Sequence, residues 1–148
     1  MEDMIKEAKL KALSLLNYMD RTEYQLRQKL REKAFSDDAI EQAVEYVKSF
    51  GYVNDKNYAE RYILNRQNSK SKKEIFAALI QKGIGKDVID DAMQICYETN
   101  DEIAAIQRLC EKKHISAEKS SDDEKRRMYN YLLRKGFRMD DICKVLKV

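Results

Sequence analysis

One short sequence recurs three times in this chain of 148 residues, and it constrains the fold more than any other feature. Its copies are residues 30–35 (LREKAF), 79–84 (LIQKGI) and 132–137 (LLRKGF), which begin 49 residues (30 to 79) and 53 residues (79 to 132) apart. Each copy follows one helical pattern of apolar residues and precedes another. This period indicates one supersecondary unit used repeatedly, with neighbouring units sharing a core.

The composition favours an all-α fold. The chain has no proline and only four glycines, so it lacks the residues that punctuate strands and hairpins. Each repeat is predicted to contain three helices, and a capping box begins each central helix. The three boxes are Thr22 with Gln25, Ser71 with Glu74, and Ser121 with Glu124. The third central helix is predicted to carry an extra turn, because its span from cap to turn is three residues longer.

The recurring turn has a physical explanation. Gly83 and Gly136 suit the left-handed conformation that ends a helix, where a side chain would clash. Ala34 stands at the same place in the first copy, which predicts a less tightly wound helix end there. The lysine before each of these positions places positive charge at a helix C-terminus. These residues therefore have structural roles, and no catalytic role is predicted for them.

Three domains follow from the period: residues 1–50, 51–98 and 99–148. Units of about 50 residues bury too little surface to be stable alone, so contact between them is expected. The first helix is predicted from an apolar stripe that runs from Ile5 to Met19. Thr99, Asn100 or Asp101 is expected to cap the first helix of the third repeat, and residues 113–123 to form the longest loop.

The cysteines and the first residues indicate a soluble cytoplasmic protein. Three cysteines without a CxxC pair argue against a disulfide framework and for a reducing compartment. The acidic start is unlike a signal peptide, and no apolar run approaches the roughly 20 residues that cross a bilayer. No membrane association is expected.

The charges are unevenly distributed although the net charge is only +3. Acidic residues dominate residues 37–60, whereas residues 66–86 and 125–147 are mainly basic. A basic segment can be an ordinary solvated face. Two separate basic segments and an acidic one nevertheless suggest a long polar surface of mixed sign that contacts a partner.

Several segments resemble the RecX regulatory proteins of bacteria. They are residues 21–30 (RTEYQLRQKL), 50–59 (FGYVNDKNYA), 79–84 and 129–137 (YNYLLRKGF). The resemblance covers nearly the whole chain in the right order and spacing. It departs from the family at Ala34, where glycine is common, and at Lys72 and Lys73, where a glycine-containing basic turn is usual.

The resemblance implies three tandem three-helix repeats in an elongated, curved, solenoid-like body. It also implies a modulator that binds the filament of RecA on single-stranded DNA and inhibits its ATPase, strand-exchange and co-protease activities. No cofactor, catalytic residue or metal is implied, and we expect a monomer with at most a weak direct contact to single-stranded DNA. End capping and groove coating both remain open as modes of inhibition. The candidate partner-binding residues are Arg61, Arg66, Lys70, Lys72, Lys73, Arg126, Arg127, Arg134 and Arg138.

A DNA-binding regulator of the helix-turn-helix type is the alternative, because a short turn between two helices recurs three times. Acidic residues follow each turn, however, and they would repel phosphates at the start of a recognition helix. They include Asp37, Asp87 and Asp140.

An enzyme is a further alternative. His114 is the only histidine, and it stands four residues after Cys110. Two ligands do not make a zinc site, which needs about four. A thiol nucleophile would need an orienting partner that the sequence does not offer. Neither a metal site nor catalysis is therefore predicted.

Overall fold

Nine helices make up the part of the chain that the computed structural model describes, residues 2–97 and 102–148, and no strand occurs there. The all-α prediction is therefore confirmed. The helices are α1 Glu2–Tyr18, α2 Glu23–Glu32, α3 Asp37–Ser49, α4 Asp55–Arg66, α5 Lys72–Gln81, α6 Lys86–Cys96, α7 Ile103–Lys112, α8 Asp122–Lys135 and α9 Met139–Leu146. Within these residues, no helix is both long and apolar enough to cross a membrane.

The central helices α2, α5 and α8 begin at the three predicted capping boxes. In α5 the Glu74 amide donates to the Ser71 hydroxyl at 3.1 Å, and the Ser71 amide donates to the Glu74 carboxylate at 3.0 Å. The same reciprocal pair is present at Thr22 and at Ser121. The prediction of a longer third helix is also confirmed, because α8 has 14 residues whereas α2 and α5 have 10 each.

The three repeated turns share one backbone conformation. Gly83 and Gly136 have φ values of +86° and +97°, and Ala34 has +64°. The loosening expected at Ala34 is limited to one hydrogen bond. The Phe35 amide lies 3.4 Å from the Leu30 carbonyl oxygen, and the corresponding distances after the glycines are 3.2 Å and 3.1 Å. Alanine therefore adopts the left-handed conformation at a conformational cost that glycine avoids.

The chain divides into two compact units, each with its own core. Unit 1 comprises Met1–Ala59 and Leu79–Asp90, and unit 2 comprises Glu60–Ala78 and Asp91–Val148. The main core of unit 1 lies where α1, α2 and α3 pack together. That of unit 2 lies where α7, α8 and α9 meet.

Two long-range joints connect central helices. In unit 1 the buried Thr22 hydroxyl, at the start of α2, donates to the carbonyl oxygen of Lys82 at 2.6 Å. In unit 2 the buried Ser71 hydroxyl, at the start of α5, donates to the carbonyl oxygen of Lys135 at 2.5 Å. In each joint the cap of one repeat binds the C-terminal end of the central helix of the next repeat, at its last residue or the residue after it.

Some local predictions were wrong or fall outside the described residues. The helix α1 ends at Tyr18, so Met19 lies beyond it and is exposed rather than part of the buried stripe. The expected caps Thr99, Asn100 and Asp101 lie outside the described residues, as does the predicted boundary between residues 98 and 99. The predicted long loop is present between α7 and α8, but it ends at Ser121, because Asp122 and Asp123 begin α8.

Candidate functional site

All of the predicted partner-binding cations lie in unit 2. Several of them contact a neighbouring side chain. The Arg66 guanidinium lies 3.8 Å from the centre of the Tyr62 ring, and the Lys72 ammonium lies 4.6 Å from that of Tyr97. Arg126 pairs with Asp123 at 2.9 Å, and Arg138 with Asp140 at 3.8 Å.

Lys72 and Lys73 are part of the joint at the start of α5. The Lys72 amide donates to the buried Glu102 carboxylate at 2.6 Å. The Lys73 side chain packs so closely on Gly136 that a Cβ at that glycine would lie 2.9 Å from the Lys73 Cβ. A substitution here would therefore change the stability of the joint as well as any contact with a partner.

Tyr131, on α8, lies beside two groups of basic residues in unit 2. Its side chain lines two cavities, of about 460 Å³ and about 710 Å³. Basic residues line the smaller cavity at 113, 127 and 134 and the larger one at 70, 108, 112 and 135. We call this set the Tyr131 surface: Lys70, Arg108, Lys112, Lys113, Arg127, Tyr131, Arg134 and Lys135.

Seven cations and two carboxylates, Glu111 and Glu124, line the two cavities, so the charge around Tyr131 is positive on balance. The Lys113 ammonium lies 4.3 Å from the centre of the Tyr131 ring, and the Lys135 ammonium lies 5.7 Å from it. Within residues 2–97 and 102–148, Lys135 is the only cation of this surface in an ion pair, with Glu74 at 3.1 Å. Burial alone would raise the pKa of Glu74, but the Ser71 amide and the Lys135 ammonium outweigh it and hold that pKa below its ordinary value.

The Tyr131 surface brings together only some of the predicted residues. Lys70, Arg127 and Arg134 belong to it, whereas six others line neither cavity: Arg61, Arg66, Lys72, Lys73, Arg126 and Arg138. Arg108, Lys112, Lys113 and Lys135 were not among the predicted site residues. The sequence signal for the first three is the basic end of α7, just before the loop that leads to α8, and Lys135 is the lysine of the third repeated turn.

The arrangement suits binding of a polyanion rather than catalysis. Several lysine and arginine side chains beside one aromatic ring are the features with which proteins hold the phosphates and bases of single strands. Among the described residues, no group of histidine, cysteine and carboxylate side chains could hold a metal ion. Cys110 is buried in the core of unit 2, and His114 is exposed beyond the end of α7.

Repeated three-helix domains with an exposed basic surface define an all-α binding protein of the tandem-repeat class. Residues 8–46, 54–93 and 100–146 match the models of the first, second and third three-helix domains of RecX. The chain belongs to the RecX family of regulatory proteins.

Curated relatives named regulatory protein RecX cover most of the chain. That of Clostridium acetobutylicum is 36% identical over 99% of this chain and 73% of its own length. That of Clostridium perfringens is 37% identical over 94% of this chain and 66% of its own length. The chain thus spans about two thirds to three quarters of these relatives.

Two solved structures share the fold. The crystal structure of RecX from Lactobacillus salivarius matches with a TM-score of 0.85 and 28% identity, over 99% of this chain and 97% of that one. A second crystal structure, of a regulatory protein RecX, matches with a TM-score of 0.80 and 24% identity, over 99% of this chain and 72% of that one.

Proposed function

We propose that this protein regulates the RecA recombinase by binding the filament that RecA forms on single-stranded DNA. Binding inhibits the ATPase, strand-exchange and co-protease activities of the filament, and so modulates recombination and DNA repair. The protein acts in the cytoplasm as a monomer without a cofactor. Membership of the RecX family supports this proposal most strongly.

In this proposal the Tyr131 surface contacts the DNA of the filament. Lysine and arginine side chains bind phosphates by releasing counterions, so this contact weakens as the salt concentration rises. The half-buried Tyr131 ring offers a face on which an unpaired base can stack. A direct contact with free single-stranded DNA is weak, because the net charge of the chain is only +3.

Specific recognition of duplex DNA is the less favoured function. The helices that follow the repeated turns are α3, α6 and α9, and acidic residues lie in the first turn of each. Asp37, Asp38, Asp87 and Asp140 are exposed there. A recognition helix would place these carboxylates near DNA phosphates, where like charges repel. Electrophoretic mobility shifts of duplex DNA, with and without RecA, separate the two functions.

The test is a titration of RecA ATPase on single-stranded DNA with this protein. We expect inhibition by the wild-type chain. The double substitution Arg127→Glu/Arg134→Glu should raise the half-inhibitory concentration more than tenfold, because it reverses two cations of the Tyr131 surface. The control Lys33→Glu/Lys86→Glu changes the net charge equally at exposed positions of unit 1 and should shift that concentration less than threefold.

Each result has a separate meaning. Uninhibited ATPase at saturating wild-type protein would contradict the proposed function. Inhibition that both charge-reversed variants retain in full would exclude the Tyr131 surface from the contact and leave the function intact.

A further inference from the structure

Three exposed aromatic side chains form a cluster in unit 1, which we call the aromatic cluster: Tyr46, Phe50 and Tyr52. The Tyr46 and Phe50 rings meet edge to face with centres 5.2 Å apart, and the Phe50 and Tyr52 rings stack with centres 5.5 Å apart. Phe50 is 57% exposed and Tyr52 is 56% exposed. Contiguous exposed apolar surface of this kind commonly marks an interaction site.

The backbone at the end of α3 holds these rings in place. Gly51 has a φ of +74°, which turns the chain back on the helix, and the Tyr52 amide donates to the Val47 carbonyl oxygen at 3.0 Å. Val53, the next residue, is buried in the core of unit 1. Phe50 and Tyr52 therefore protrude from a fixed turn, so little side-chain freedom is lost when a partner covers them.

The charges near the aromatic cluster do not suit a nucleic acid. The Lys48 ammonium, close to these residues in the sequence, lies 3.4 Å from a Glu23 carboxylate oxygen and 3.9 Å from one of Glu45. The Lys9 ammonium lies 4.7 Å from the centre of the Tyr46 ring. Two carboxylates offset the charge of Lys48, so this surface attracts phosphates less than the Tyr131 surface does.

An apolar pocket on a protein matches the aromatic cluster better. Tyrosine and phenylalanine are enriched in the desolvated centres of protein interfaces, and a few such residues supply most of the binding energy. The phenyl ring of Phe50 offers apolar area alone, and the Tyr52 hydroxyl adds one group that can donate a hydrogen bond at the rim of a pocket.

We propose that the aromatic cluster is the protein-binding site of this chain, and that Phe50 and Tyr52 insert into an apolar pocket of a RecA protomer. The identity of that protomer rests on the proposed function. The two surfaces then have different tasks: the aromatic cluster of unit 1 binds protein, and the Tyr131 surface of unit 2 binds DNA.

The test compares two affinities of the same variants. The first is for a RecA filament on single-stranded DNA, and the second is for a single-stranded oligonucleotide without RecA. The substitution Phe50→Ser/Tyr52→Ser should weaken filament binding more than tenfold and change oligonucleotide binding less than twofold. The matched control is Tyr18→Ser/Leu64→Ser, at side chains 82% and 54% exposed, and it should change neither affinity more than twofold.

A conservative variant separates contact from folding. Phe50→Leu/Tyr52→Phe keeps the apolar area and should bind the filament within threefold of the wild-type chain. Circular dichroism should show the same helix content for the wild-type chain and for the variants at residues 50 and 52, because neither Phe50 nor Tyr52 belongs to a helix or to the core.

The contrary results are distinct. Equal losses of filament and oligonucleotide binding in the serine variant would overturn the inference in favour of base stacking. A wild-type dimer that the serine variant dissociates would identify a second copy as the occupant. Undiminished filament binding by the serine variant would overturn the inference alone, whereas a wild-type chain that does not bind the filament would overturn the proposed function as well.

Discussion

The side chain of Tyr24 lies so close to Gly83 that a Cβ atom added to this glycine would overlap the Cβ and Cγ atoms of Tyr24. The same joint contains the hydrogen bond from the Thr22 hydroxyl to the Lys82 carbonyl oxygen. Glycine at 83 therefore serves two purposes, since it adopts a positive φ and leaves room for the incoming first turn of α2.

The substitution Gly83→Ala should destabilise the fold more than Gly51→Ala. Both residues have positive φ values, +86° and +74°, so both substitutions incur the conformational cost. A Cβ at Gly51 would meet nothing within 4 Å, whereas one at Gly83 would displace Tyr24. We expect a free energy of unfolding about 2 kcal/mol lower for Gly83→Ala than for Gly51→Ala, measured by urea denaturation. Equal losses in the free energy of unfolding would show that Tyr24 moves away from residue 83 without an energetic cost.

The hydroxyl groups of Thr22 and Ser71 should each contribute more to the free energy of unfolding than a hydroxyl that only caps a helix. Ser71→Ala removes the cap of α5 and leaves the Lys135 carbonyl oxygen without its donor, while Ser121→Ala removes only the cap of α8. A cap is worth about 1 kcal/mol, and an unsatisfied buried acceptor costs about 1–3 kcal/mol more. Chemical denaturation should therefore find the larger loss for Ser71→Ala. A loss as small as that of Ser121→Ala would refute the role of the joint.

Replacement of Ala34 by glycine should stabilise the protein. Ala34 has a φ of +64°, a conformation that glycine adopts without a steric penalty. We expect Ala34→Gly to raise the free energy of unfolding by about 1 kcal/mol. The control Ala77→Gly, at an exposed position inside α5, should lower it by about 1 kcal/mol. A decrease in both variants would mean that the Ala34 methyl group makes a contact worth more than the strain.

The stability of unit 2 should depend on pH through Glu102. Burial raises the pKa of this carboxyl above its ordinary value of 4.5, and the nearby Asp141 raises it further against the opposing effects of Lys72 and Arg138. A raised pKa means that the folded state binds the proton more tightly. The proton on Glu102 therefore stabilises the folded state fully below pH 4.5, and this stabilisation is lost as the pH rises through the raised pKa.

Glu102→Gln removes this dependence and keeps an oxygen that can accept from the Lys72 amide. The free energy of unfolding of the variant should therefore decline less between pH 4.5 and pH 7 than that of the wild-type chain. The control Glu111→Gln lies on the exposed side of α7 and should follow the wild-type curve. Parallel curves for wild type and Glu102→Gln would contradict the prediction.

The sequence alone predicts the repeated helices well, because their determinants are local. The capping pairs at Thr22, Ser71 and Ser121 and the left-handed turns at Gly83 and Gly136 involve residues a few positions apart. The family resemblance adds the order of the repeats. Such signals specify where each helix begins and ends.

The surfaces are harder to predict because they join residues that are distant in the sequence. Lys72 and Lys73 look like freely solvated cations in the sequence, but the Lys72 ammonium lies on the Tyr97 ring and the Lys73 side chain packs on Gly136. The Tyr131 surface combines the end of α7 with the face of α8 and with Lys70. In the sequence, Phe50 and Tyr52 look like ordinary turn residues. Only the structure shows that their rings stack on each other and are exposed.

The methyl group of Ala34 also bears on whether separate copies of the chain can associate. A joint that binds the start of one repeat to the end of the next is a head-to-tail contact, and such contacts polymerise without limit unless something stops them. Where Gly83 and Gly136 admit a neighbouring helix, alanine presents a Cβ atom to any molecule that would dock in the same way. We therefore expect this one carbon atom to disfavour end-to-end association of separate copies of the chain.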